Sequence, residues 1–179
     1  MKPTAVRHDF ASARVRLLLK ELGITGPPVD AAKVLERLGA RVHYHMHESV
    51  DYAFSFVDGK GRFHVSIDIS NPGRMNWSAT HELGHWVLKH FEQYDVDRLT
   101  NGGVVERLTE EERRILDREA DIFAREFLMP KAWVRAAAGG SVGYDMVPKL
   151  AEKFMVSHEA MRIRLEELGL LPGEEPLPF

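Results

Sequence analysis

The sequence predicts an α+β fold: a small antiparallel sheet with helices before and after it, and a helical module resembling a helix-turn-helix at the C-terminal end. Three observations carry this expectation. Apolar residues at helical spacing, bounded by capping and stop signals, fill residues 1–40. Residues 41–69 change to a period of two, and from residue 109 onward the helical period returns.

Taken in order, Asp9 or Ser12 is placed to cap a first helix through Val15, Leu18, Leu19 and Leu22, closed by Gly23. Pro27 and Pro28 interrupt the chain, and Asp30 then caps a second helix through Ala31, Val34, Leu35 and Leu38 that ends at Gly39. Three strands follow, marked by Val42, Tyr44 and Met46, by Tyr52, Phe54 and Phe56, and by Phe63, Val65, Ile67 and Ile69, with a hairpin turn at Asp58-Gly59-Lys60-Gly61. His43, His45 and His47 share one strand face, which suits a cation, but with no acid beside them they read as a solvated face of the sheet. Arg74 and Trp77 lead into the next helix, and Asn101-Gly102-Gly103 marks a loop after it. Thr109 with Glu112 forms a capping box for a helix running to Leu128, stopped by Pro130. Its buried stripe is Leu116, Ala120, Phe123 and Phe127. Short helices are expected over residues 130–138, 146–154 and 157–168, the last capped by Ser157 and closed by Gly169. Residues 1–130 read as the main domain and residues 131–179 as a helical extension packed on it.

The 179-residue chain has an ordinary balance for a globular protein, 44% hydrophobic and 28% charged. It has no apolar run long enough to span a membrane and no secretory leader in its first ten residues, so a cytoplasmic setting is expected. Cysteine is absent, which leaves His, Asp and Glu as the strong metal donors. The formal charge of −3 and the eleven acidic against six basic residues over 92–128 argue against general affinity for nucleic acid. Residues 146–171 hold four basic and four acidic side chains, which suits packing or partner binding better than reading DNA.

The chemistry is concentrated in residues 79–90. His81 and His85 are four apart, so on a helix they lie one above the other and can hold one ion, while Glu82 projects alongside. This H-E-x-x-H pattern supplies two imidazoles for a Lewis acid and a carboxylate that takes a proton from water. Leu83, Trp86 and Val87 give the helix a packing flank, and Gly84, costing about 1 kcal/mol relative to Ala inside a helix, suggests close approach by another backbone. A catalytic zinc keeps three protein ligands and one open position. Glu119, a carboxylate among Ile115 and Ile122, is the expected third ligand, with Glu126 as its rival and a rim salt bridge as the bland reading of either.

Beyond this pattern, the chain resembles the ImmA/IrrE family of metallopeptidases. The resemblance takes in Pro27-Pro28-Val29-Asp30, Arg74, the block Thr80-His81-Glu82-Leu83-Gly84-His85, the block from Glu119-Ala120-Asp121 through Phe127-Leu128-Met129-Pro130, residues 150–157, and Arg164-Leu165-Glu166-Glu167-Leu168-Gly169. It implies a zincin-like fold, metal ligation by His81, His85 and Glu119, and Glu82 as the catalytic carboxylate. The implied cofactor is Zn2+, with Mn2+ or Fe2+ as cellular alternatives. The implied activity is that of an endopeptidase cutting a helix-turn-helix repressor to relieve repression in a stress response or a mobile element. The alternative is a non-catalytic or toxin–antitoxin-type partner-binding protein on the same fold. Two departures stand out: Asp121 where the family usually has Asn, and a histidine at position 90 rather than at Lys89. Candidate oxyanion donors are His90, Tyr94 and Tyr144, and a substrate is expected to add as an extended strand to a sheet edge.

Overall fold

A computed structural model of the chain describes residues 2–46, 53–70, 72–96, 98–100 and 108–171. The order is α1 (His8–Glu21), α2 (Ala31–Arg37), β1 (Arg41–His45), β2 (Ala53–Val57), β3 (Phe63–Asp68), α3 (Pro72–Val87), α4 (His90–Tyr94), β4 (Arg98–Thr100), α5 (Glu110–Leu128), α6 (Lys131–Ala138), a 3-10 turn (Tyr144–Met146), α7 (Val147–Phe154) and α8 (His158–Glu167). The expected loop at Asn101-Gly102-Gly103, His47 and Tyr52 lie outside the described residues.

The α+β class holds, and the sheet is mixed rather than antiparallel. Its strands lie in the order β1-β3-β2-β4. β2 pairs antiparallel with β3 and with β4, but β1 pairs parallel with β3, Arg41 opposite His64 and His45 opposite Asp68. Alternation reports which residues share a face and not which strand is the neighbour. β3 is buried over most of its length and takes the interior position, whereas β1 is largely exposed and takes an edge. On the outer face His64 receives His43 at 3.0 Å and stacks on Phe56 with ring centroids 4.6 Å apart.

α3 and α5 pack closely, and Gly84 shows how. A Cβ built there would stand 3.2 Å from Ala120 Cα and 3.2 Å from the Phe123 side chain, so the glycine reflects the approach of α5. α5 starts with the expected capping box, the Thr109 side chain accepting from the Glu112 amide at 3.2 Å. Asp30 and Ser157 also cap as expected, through Lys33 N at 3.1 Å and Ala160 N at 3.1 Å. α1 does not use Asp9 or Ser12. Its N-cap is Arg7, with no side-chain cap bond, and the Arg7 amide is instead taken by Glu119 of α5 at 2.8 Å.

One hydrophobic cluster runs from Ala11, Val15 and Leu18 through Leu83, Leu116 and Phe123 to Leu150, Phe154, Met161 and Leu165. The C-terminal helices thus share the core of the sheet-bearing part. No described helix is long and apolar enough to cross a membrane.

Candidate metal centre

α3 delivers His81, Glu82 and His85 to the interior, with His81 at 2% exposure, Glu82 at 1% and His85 at 2%. The two histidines, one turn apart, bring their Nε2 atoms to 3.0 Å from each other. From α5, Asp117 places Oδ1 3.7 Å from His85 Nε2. Among the described residues these three form the group of potential ligand atoms that converge, all within 4.8 Å of one another.

The other nitrogen of each ring is fastened. His81 Nδ1 lies 3.0 Å from Asp121 Oδ1, and His85 Nδ1 lies 2.8 Å from His90 Nδ1. His90 Nε2 in turn lies 3.1 Å from Glu119 Oε2. A carboxylate only accepts, so His81 donates from Nδ1 to Asp121, and His90 donates from Nε2 to Glu119. His90 Nδ1 is then an acceptor, and His85 must donate to it from Nδ1. Both Nε2 lone pairs consequently face each other across 3.0 Å. That arrangement calls for a positive charge between them, supplied by a proton or by a divalent ion. The titration directions agree: burial opposes charge on His81, but Asp121, Glu82 and Asp117 outweigh it and raise the ring, while burial, His81 and His90 lower His85 well below the usual range.

Glu82 stands beside this pair. Its Oε2 accepts from the Ser55 hydroxyl of β2, while Oε1 is buried without a hydrogen-bond partner. Burial pushes its pKa up to about 7, against the opposing pull of His81 and the Ser55 hydrogen bond. One oxygen is thus held and the other is left for a proton, the disposition expected of a general base. The imidazoles of His81 and His85 with the Asp117 carboxylate match a zinc donor set with an open position.

The structure separates Glu119 from the expected site. Fully buried, it accepts from the Arg7 amide and Nε at 2.8 Å each, from Arg7 Nη2 at 2.7 Å, and from His90. Glu126, the rival, accepts from Arg164 at 2.9 Å. The carboxylate that meets the histidines is Asp117, one half-turn of α5 away from Glu119, because the face of α5 turned to α3 is set by Gly84 against Ala120 rather than by the apolar flank around Glu119. A signal existed in the sequence. Asp117 and Asp121 are spaced i, i+4, the same spacing as the histidines they meet, and Ser55 interrupts an apolar strand. The Asp121 departure supports a histidine of the cluster. The His90 departure is accommodated because Lys89 takes a left-handed conformation with φ of 64°, so that α4 restarts in a new phase and buries His90 completely. Of the oxyanion candidates, His90 is committed behind His85, Tyr94 is buried with an unpartnered hydroxyl, and Tyr144 is exposed on the 3-10 turn.

In comparison with known proteins, a family model described as the IrrE N-terminal-like domain of peptidase M78 matches residues 35–166. No curated protein matches the sequence. Among solved structures, a Mycobacterium tuberculosis transcriptional regulator is similar at 19% identity with a TM-score of 0.58, over 90% of this chain and 48% of the regulator. At that identity the likeness shows the fold, and the chain spans about half the length of the regulator.

Proposed function

The chain belongs to the IrrE N-terminal-like, peptidase M78 family, and from that premise we propose that it is a metal-dependent endopeptidase whose substrate is a helix-turn-helix transcriptional repressor. The observation that carries the reading is Glu82: a buried carboxylate with one oxygen tied to Ser55 and the other unpartnered, beside two imidazoles whose lone pairs converge.

His81, His85 and Asp117 would hold the ion, with zinc the favoured occupant of an N2O set. When bound, it supplies Lewis acidity toward the scissile carbonyl and toward water. Ser55 fixes Glu82 Oε2, so Oε1 takes the proton of the attacking water and passes it to the leaving nitrogen. Asp121 and His90 keep the two imidazoles turned with Nε2 inward. A substrate strand adding to β4, which lies at the edge of the sheet next to the Ser55-bearing strand, would draw the peptide past Glu82 in extended form.

The test is incubation of the purified protein and Zn2+ with candidate repressors, with and without chelator. The reading expects limited cleavage at one or a few bonds, abolished by chelator. A repressor that binds stably and is never cut under any divalent metal would favour a partner-binding role instead.

A further inference from the structure

Glu119 is fully buried, yet it belongs to no part of the converging cluster, so the fold keeps a carboxylate inside for another purpose. Arg7 grips it at three points: the backbone N–H and Nε reach Oε1 at 2.8 Å each, and Nη2 reaches Oε2 at 2.7 Å. Nη2 also donates to Gln93 Oε1 at 2.9 Å, and the guanidinium lies 4.5 Å over the Phe10 ring, so the side chain is fixed along its length. From the other side the fully buried His90 binds Glu119 Oε2 at 3.1 Å and His85 Nδ1 at 2.8 Å. The N-terminal segment, α5, α4 and α3 therefore contribute one group each to an unbroken line, Arg7–Glu119–His90–His85, that ends on a ring of the cluster.

Stability alone does not account for this line. α1 is already fastened by Ala11, Val15 and Leu18 in the apolar cluster, and a buried ion pair is often no more stabilising than apolar residues of the same size. What an apolar substitute could not do is orient an imidazole. With Arg7 holding both oxygens, Glu119 keeps one position in which to accept from His90, and His90 then offers only its Nδ1 lone pair to His85.

We propose that the N-terminal segment closing on Arg7 is a working part of the metal centre, setting through Glu119 and His90 the tautomer and ring angle of His85 and thereby the strength with which the cluster holds a divalent cation. The proposal rests on the reading of His81, His85 and Asp117 as metal ligands. Arg7, Glu119 and His90 act as positioning residues, since none of them belongs to the converging ligand group. Lysine at position 7 would retain the backbone bond and a single charged donor without the planar fork, so it should support the line in part.

The experiment compares wild type with Arg7→Ala, Arg7→Lys and Glu119→Gln, and with Lys2→Ala as a comparison variant that removes the partly exposed Lys2–Glu112 pair and a contact with the Tyr94 ring but touches no member of the line. Zn2+ affinity is read by competition with a chromophoric chelator, ring geometry from the absorption bands of Co2+ at the site, and folding from thermal unfolding of the metal-free chain. Arg7→Ala and Glu119→Gln are expected to lose about 10- to 100-fold in Zn2+ affinity and to shift the Co2+ bands, the size of effect typical of residues that support a ligand. Arg7→Lys should recover part of both, and Lys2→Ala should match wild type. Should Arg7→Ala fail to fold, Arg7→Lys and its Co2+ bands decide. Wild-type affinity and wild-type Co2+ bands in Arg7→Lys and Glu119→Gln would overturn the proposal alone; a wild-type protein that takes up neither ion would overturn the reading of the centre and this proposal with it.

Discussion

Glu82 and Asp117 are two carboxylates within one site, and their surroundings give them different work. Glu82 is sealed from solvent and lifted to about 7 by burial, which keeps a proton-accepting oxygen near neutrality. Asp117 has a side chain 41% exposed and turns an oxygen toward the histidines, which suits a ligand beside an open position. Glu82→Gln should therefore retain metal, because it removes none of the proposed ligands, while cleavage of the proposed repressor substrate falls by at least the ~100-fold typical of a lost general base. Elemental analysis and a cleavage assay on the same preparation check this, and retained turnover would place the base elsewhere. Asp117→Ala should weaken Zn2+ binding by more than the ~100-fold upper range of a supporting residue, whereas Glu126→Gln, which loosens Arg164 and Arg125, should leave affinity unchanged. The opposite order in a chelator competition would return Glu126 to the ligand set.

At the scale of elements, the site is a consequence of how closely α3 meets α5. Gly84→Ala gains roughly 1 kcal/mol of helix propensity but forces a methyl to 3.2 Å from Ala120 Cα, and overpacking of that kind costs about 1–3 kcal/mol. The expected result is a net loss of roughly 1 kcal/mol in thermal or denaturant unfolding, together with weaker Zn2+ binding as Asp117 is pushed from the histidines. Equal or higher stability with unchanged metal affinity would mean that α5 has room to move. The same pair of helices shows what the sequence could disclose. That His81 and His85 lie together with Glu82 alongside was legible because spacing within one helix fixes their relative directions, and so were the caps at Asp30, Thr109 and Ser157, which are local. The third carboxylate was not, because it depends on which face of α5 turns to α3. Glu119, flanked by apolar residues, suggested a buried ligand; it is buried, but for Arg7, an interaction spanning 112 positions that no periodicity reveals. Strand order was hidden for the same reason, since the parallel partner of β1 is β3 and not the strand that follows it.

At the scale of the whole molecule, the C-terminal helices share their core with the part that bears the site. Val147, Leu150, Ala151 and Phe154 of α7 and Met161 and Leu165 of α8 sit in the shared hydrophobic cluster, and buried Arg164 donates to the Met129 carbonyl at 3.0 Å and to Glu126. Emptying a single large apolar site costs about 2–5 kcal/mol, so removing several exceeds the roughly 5–15 kcal/mol that holds an ordinary domain together. A chain truncated after residue 146 should accordingly show no cooperative thermal transition and bind Zn2+ poorly, and a sharp transition with intact metal affinity would make residues 147–179 separable from the part that bears the site. Any role of these helices in docking a repressor must then be read by surface substitution. Ile163, 42% exposed beside the cavity lined by Arg74, Trp77 and Arg125, is the position to change. Ile163→Asp should leave the melting curve and metal content as in wild type while lowering kcat/KM for the proposed repressor substrate about tenfold, equivalent to a loss of roughly 1.4 kcal/mol of docking energy. Unchanged cleavage would move the docking surface away from α8, toward the edge of the sheet at β4.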